Sequence, residues 1–196
     1  MDENLTLSGS IISADFLKIG EQIDELMESG CNEIHFDVMD GHFVPNLSAG
    51  PVILGSIKTR IKCKVDVHLM VRNPLVLIEE FSDAGADIIT FHIESDDEPI
   101  NVIDKIKKYD MSPAIALKPE TSWIEMNHLI KYLDRVLFMT VTPGASGRSF
   151  KYDVLDKIKM FIKFNKAFLD TKKHFQIGVD GGISKETAIL AVNAGA

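Results

Sequence analysis

Ile34-His35-Phe36-Asp37-Val38 is a short apolar run broken twice, at a spacing of two, by side chains with ionisable tips. Val65-Asp66-Val67-His68-Leu69 and Ile177-Gly178-Val179-Asp180-Gly181 repeat the form. Each is β-branched and brief, the mark of a strand buried in a parallel sheet. Alternate residues of a strand share a face, so His35 and Asp37 point the same way. One such His or Asp can be a polar strand end in solvent. Two imidazoles and two carboxylates (His35, Asp37, His68 and Asp180) at matched strand ends instead suggest a divalent-metal site, where a carboxylate can also move protons. Asp66 shares the face of His68 and is placed to orient an imidazole. Asp40, just past the second run, reads more simply as a solvated loop carboxylate.

Working outward, further strands are expected at Leu7–Ile12, Glu33–Val38, Lys64–Leu69, Ile88–His92, Pro113–Leu117, Arg135–Thr140 and Gln176–Val179. Amphipathic stretches alternate with them. Ile19, Ile23, Leu26 and Met27 mark one helix face, Leu77, Ile78 and Phe81 another, Ile103 and Ile106 a third, and Leu155, Ile158, Phe161 and Ile162 a fourth. Ser29-Gly30, Ala84-Gly85-Ala86 and Asn193-Ala194-Gly195 read as helix stops. Asp15, Asn73-Pro74 and Ser184 read as helix starts.

Seven βα units in series mean a parallel sheet with helices outside it. A doubly wound dinucleotide binder needs G-x-G-x-x-G after its first strand. That position reads Ser10-Ile11-Ile12-Ser13-Ala14-Asp15. Ligands at the ends of strands one, two, three and seven converge only if the sheet curls, so an α/β (β/α)8 barrel is expected. The sequence given stops at Ala196, where an eighth strand and helix should begin. The expectation is one barrel domain over residues 1–196, lacking the eighth strand and helix.

The chain has 196 residues, 45% hydrophobic and 26% charged, as in an ordinary globular protein. Its net charge of −8 argues against nucleic acid or an anionic membrane as partner. A small anion remains possible, because backbone amides can bind it. Met1-Asp2-Glu3-Asn4 lacks the basic-then-apolar pattern of a signal peptide, and no apolar run approaches membrane-spanning length. Cys31 and Cys63 read as free thiols in a reducing cytoplasm.

Two loops are phosphate candidates. Thr142-Pro143-Gly144-Ala145-Ser146-Gly147-Arg148-Ser149 follows strand six, with two glycines and one cation. Asp180-Gly181-Gly182-Ile183-Ser184 leads into a helix N-terminus. Either can also be a plain turn. Met39, Met70 and Met139 are read equally as core filler or as an apolar lining around a reacting centre. His92 ends strand four with no evident partner and reads as a hydrogen-bonded wall residue. Lys118 is open between substrate contact and solvated lysine. His42, His128 and His174 read as surface residues.

Ser8-Gly9-Ser10-Ile11-Ile12-Ser13-Ala14-Asp15, His35-Phe36-Asp37-Val38-Met39-Asp40-Gly41-His42-Phe43-Val44-Pro45-Asn46, Asp66-Val67-His68-Leu69-Met70-Val71 and Val179-Asp180-Gly181-Gly182-Ile183 resemble the strand-one, -two, -three and -seven motifs of the ribulose-phosphate 3-epimerases. The second and third are highly specific. The resemblance implies a metal-dependent isomerase that inverts carbon 3 of ribulose 5-phosphate and xylulose 5-phosphate. It implies one divalent ion, zinc or iron ahead of manganese or cobalt, on His35, Asp37, His68 and Asp180. Asp37 and Asp180 become the acid/base pair. Ser10, His68, Gly144, Ala145, Ser146, Gly147, Asp180, Gly181 and Gly182 become substrate contacts, and Met39, Met70 and Met139 the lining. It further implies a phosphosugar substrate, self-association and pentose phosphate metabolism. The strand-six loop departs from the family's Asn- or Glu-Pro-Gly-Phe-Gly-Gly-Gln: Ala145 stands for Phe, Ser146 for Gly and Arg148 for Gln. That departure raises two alternatives, a six-carbon ketose phosphate such as allulose 6-phosphate as substrate, or a weakened phosphosugar-binding remnant.

Overall fold

The computed structural model describes residues 5–145, 147–171 and 174–196. Among them, seven strands form one parallel sheet in sequence order: β1 (Ser8–Ser10), β2 (Glu33–Met39), β3 (Lys64–Met70), β4 (Ile88–His92), β5 (Ser112–Leu117), β6 (Arg135–Met139) and β7 (Gln176–Asp180). The α-helices set between the strands and after the last are α1 (Ile19–Glu28), α2 (Pro51–Lys58), α3 (Ile78–Asp83), α4 (Pro99–Lys108), α5 (Asp153–Leu169) and α6 (Lys185–Ala194). The sheet curls into an incomplete barrel with β1 and β7 as its edges. Among the described residues no helix is long and apolar enough to cross a membrane.

The period of two sorts the sequence into two faces. Ile34, Phe36, Val38, Val65, Val67, Leu69, Ile89, Phe91, Ile115, Leu117, Val136 and Phe138 belong to one buried cluster with helix residues such as Ile23, Leu54, Phe81, Ile103 and Phe161. The intervening residues face the concave side. Register aligns them in layers: His35 beside Asp66, Asp37 beside His68, Met39 beside Met70, and Met139 beside Asp180. The convex face thus carries the apolar burial that drives folding, and the concave face carries the ionisable groups.

Two local readings need correction. β1 pairs with β2 only over Ser8–Ser10, shorter than Leu7–Ile12, because the chain turns away from the edge after Ile11, whose N–H still donates to the His35 carbonyl. α1 starts at Ile19 rather than near Asp15. Asp15 instead builds the preceding turn, its carboxylate accepting the Leu17 N–H. The segment after β5 is a 3-10 run, Trp123–Tyr132, begun by the Ser122 hydroxyl accepting the Ile124 N–H. Ser184 does start α6, through a reciprocal capping box with Thr187.

Candidate metal centre

β2 delivers His35 and Asp37, β3 delivers His68, and β7 delivers Asp180 from the far edge. One donor atom from each lies within 4.8 Å of the other three. His68 Nδ1 is 3.0 Å from Asp37 Oδ1 and 3.2 Å from His35 Nε2. His35 Nε2 is 3.3 Å from Asp37 Oδ1, and Asp180 Oδ2 is 4.0 Å from both imidazole nitrogens. Four tetrahedral donors at zinc-type bond lengths stand roughly 3.4 Å apart. The spacing and the borderline-soft N/O donor set therefore fit a zinc-sized divalent ion, and equally its first-row neighbours.

The surroundings explain how such groups can be buried. The Ser10 hydroxyl donates to Asp37 Oδ2 at 2.8 Å. His35 Nδ1 lies 3.3 Å from Asp66 Oδ2. Asp66 is itself anchored, accepting from Thr90 Oγ1 at 2.6 Å and from Arg135 at 2.9 Å. Arg135 also forks onto Glu33 at 2.8 and 2.7 Å and bonds Gln176. Behind His68, its Nε2 meets His92 Nε2 at 3.0 Å, and His92 Nδ1 meets Glu94 Oε2 at 3.0 Å. His35 and His68 thus each have one nitrogen turned to the centre and one to an outer partner.

In the metal-free chain the two central carboxyls are driven apart. Burial opposes the charge of Asp37, but His35 and His68 outweigh it and hold the carboxyl well below the usual range. Burial pushes Asp180 up and the Asp37 charge adds to it, against the pull of His35. Asp180 is the more open of the two, with 30% of its side chain exposed against 7% for Asp37. Burial also opposes a charged His35, yet Asp37 and Asp66 raise it well above its ordinary value. That proton is the charge a bound cation displaces. For Asp66, burial is overcome by His35, Arg135 and Thr90, which lower it to about 2. Burial lowers His92 to about 4 against the pull of Glu94.

A cavity of about 1150 Å³ runs through the barrel interior, from the floor at Glu33 and Arg135 and the open edge between β1 and β7 up to the centre. Its wall includes Ser10, His35, Asp37, Met39, Met70 and Met139, with Gly144, Ala145, Gly147 and Asp180 to Gly182. The three methionines therefore combine the two roles open to them, being buried and facing the cavity. Met39 and Met70 pack together with Val44, and Met139 packs with Ala116 and Leu137. His68 is fully buried behind this wall. Ser146, expected among the substrate contacts, lies outside the described residues.

The two candidate phosphate loops touch. A Cβ on Gly182 would come within 2.8 Å of the Phe150 nitrogen and 2.9 Å of the Arg148 carbonyl, and its φ of +62° favours glycine. Asn46 Nδ2 ties the β2–α2 loop to the Gly144 carbonyl at 3.3 Å. The start of α6 is less free than its sequence suggests, because Ser184 and Thr187 cap each other there and Glu186 accepts from the Ser184 hydroxyl.

Some residues take parts that their sequence did not announce. Arg135 with Glu33 crosses the barrel floor, while His92 is the hydrogen-bonded wall residue expected of it but with partners on both ring nitrogens. Strand parity was the available signal, since all three sit on the concave face. Asp40 braces a loop, accepting from the Phe43 and Arg72 amides. The Lys118 ammonium stands 4.0 Å over the Phe43 ring.

The family model described as the ribulose-phosphate 3 epimerase family matches residues 6–196. The ribulose-phosphate 3-epimerase of Bacillus subtilis (strain 168) is 41% identical over 98% of this chain and 88% of its own length. That of Methanocaldococcus jannaschii is 40% identical, over 98% and 80%. Among solved structures, a Mycobacterium tuberculosis tryptophan synthase superposes with TM-score 0.61 at 15% identity, covering 92% of this chain and 76% of that one. Yersinia pestis DHPS gives 0.58 at 10% identity, covering 97% and 92%. At such identities the likeness concerns the fold, an α/β TIM-type barrel.

Proposed function

The chain belongs to the ribulose-phosphate 3-epimerase family, an isomerase family, and we propose that it interconverts D-ribulose 5-phosphate and D-xylulose 5-phosphate at carbon 3. The observation that carries this reading is the meeting of Asp37 and Asp180, from β2 and the far edge β7, at one centre with opposed proton affinities. Two carboxyls whose surroundings push them apart are an acid and a base ready for use.

In the proposed sequence Asp37, ionised and steadied by Ser10, takes the C3 proton from one face of the sugar. The C–H electron pair moves toward the ketone and leaves an enediolate. Asp180, protonated, returns a proton to C3 from the other face. The pair ends with its proton states exchanged, and water restores them or the reaction runs backward. A divalent ion held by His35, Asp37, His68 and Asp180 supplies Lewis-acid stabilisation of the developing negative charge. The family resemblance puts zinc or iron ahead of manganese or cobalt, among ions that the mixed imidazole and carboxylate set accommodates alike. Ser10 and the glycine loops at 144–147 and 181–182 are assigned to the sugar and its phosphate, and Met39, Met70 and Met139 to a dry lining.

A second reading rests on Ala145, which borders the main cavity and a neighbouring one of about 550 Å³. A small residue at that join leaves room for a six-carbon ketose phosphate such as allulose 6-phosphate. The family context also favours self-association and a cytoplasmic home, in keeping with the free thiols of Cys31 and Cys63.

Proton NMR in D2O tests the proposal directly. The metal-loaded protein should wash deuterium into carbon 3 of ribulose 5-phosphate while xylulose 5-phosphate appears. Asp37→Asn and Asp180→Asn should each abolish net inversion. Metal bound without exchange would identify a binding remnant instead. Exchange confined to the six-carbon substrate would favour the second reading.

A further inference from the structure

We propose that His92 and Glu94 are positioning residues that fix His68 in the tautomer able to bind the metal; the purpose rests on the metal-centre reading above. Glu94 Oε1 accepts the Lys118 N–H at 2.8 Å, and Oε2 faces His92 Nδ1 at 3.0 Å. A carboxylate only accepts, so the His92 proton sits on Nδ1. His92 Nε2 is then a bare lone pair. It faces His68 Nε2 at 3.0 Å, so the proton of that contact must belong to His68. A neutral His68 therefore carries its proton on Nε2 and turns a free Nδ1 lone pair to the centre, where a bound cation would offset the charge of Asp37, whose Oδ1 lies 3.0 Å away, with His35 Nε2 at 3.2 Å.

Burial makes this relay obligatory. His68 and His92 are both fully buried, so no water competes for their ring nitrogens. Their rings are held 5.0 Å apart, and Phe43 packs on His92 at 4.8 Å. Lys118 then covers Phe43 from outside. Moving the proton of either ring to its other nitrogen would face two protons or two lone pairs across a contact of 3.0 Å. The β4 end and the β5 loop thereby decide which nitrogen of a β3 histidine points at the centre.

Nitrogen-15 NMR of the histidine-labelled, zinc-loaded wild-type protein reads the proton positions directly. The expected spectrum has His68 protonated on Nε2 and His92 on Nδ1; a proton on His68 Nδ1 and none on Nε2 would overturn the proposal. Zinc competition against a chelator then tests the purpose. His92→Phe, which cannot accept, should weaken zinc binding by about 10- to 100-fold. His92→Gln, whose amide oxygen can accept from His68, should restore most of it. Equal zinc affinity in wild type and His92→Phe would refute the positioning role alone. A wild-type protein that takes up no zinc would refute the metal centre, and with it the purpose assigned here. Should the variants not fold, the wild-type spectrum still decides the tautomer.

Discussion

Arg135 on β6 reaches across the barrel floor and forks onto Glu33 on β2, 102 residues away in sequence, at 2.8 and 2.7 Å. The same guanidinium holds Asp66 at 2.9 Å, and all three side chains are at least nine-tenths buried. Arg135→Met strands two buried carboxylates that share one cation. The expected loss is about 3–5 kcal/mol, read from the urea midpoint of the metal-free protein. A loss below about 1 kcal/mol would mean that water or relaxation solvates both acids.

Metal removal should separate activity from folding. The convex apolar cluster and the Arg135 network do not involve the proposed ion. Chelation should therefore abolish epimerisation while far-ultraviolet circular dichroism stays unchanged. Re-adding zinc at about 100 times its dissociation constant should restore turnover and add about 2.7 kcal/mol of stability by mass action. Unfolding on chelation would show the metal to be a structural staple.

Gly182→Ala should act on substrate affinity. Its Cβ would press on the backbone of Arg148 and Phe150, neither of which is a flexible side-chain end. The two loops must part, and the φ of +62° adds a cost of order 1 kcal/mol. KM for the phosphosugar is expected to rise on the order of tenfold, because small misplacements of binding groups are costly. An unchanged KM in steady-state assays would remove these loops from the phosphate site.

Ala145→Phe tests the size of the substrate space. An aromatic there should fill the join between the two cavities. The ratio of kcat/KM for five-carbon over six-carbon ketose phosphate should rise about tenfold, the scale expected when a pocket loses room for one extra carbon unit. No change in the ratio would mean that the substrate never reaches this wall.

Strand positions were legible because a buried parallel strand leaves a pattern of apolar alternation that few other elements produce. β2, β3, β4 and β7 stand within a residue of their expected bounds. The four residues of the candidate centre were legible for a related reason, since ionisable groups on such strands demand partners. Identifying those partners from sequence alone was harder. His92 meets His68, and Arg135 meets Glu33 and Asp66, through side chains on different strands, and the pairing depends on register and curl, which periodicity does not specify. Asp15 misled because a residue favoured at helix caps is equally suited to a turn ahead of one.

The division of each strand into a greasy back and a working front has a practical corollary. Volume-conserving apolar exchanges are open behind the chemistry without entering it. Phe36, Val67, Phe91 and Phe138 can be repacked as a set with helix neighbours such as Phe81 and Phe161. The chain is in this sense two modules sharing one backbone, so thermal hardening and catalytic retuning can proceed as separate engineering campaigns.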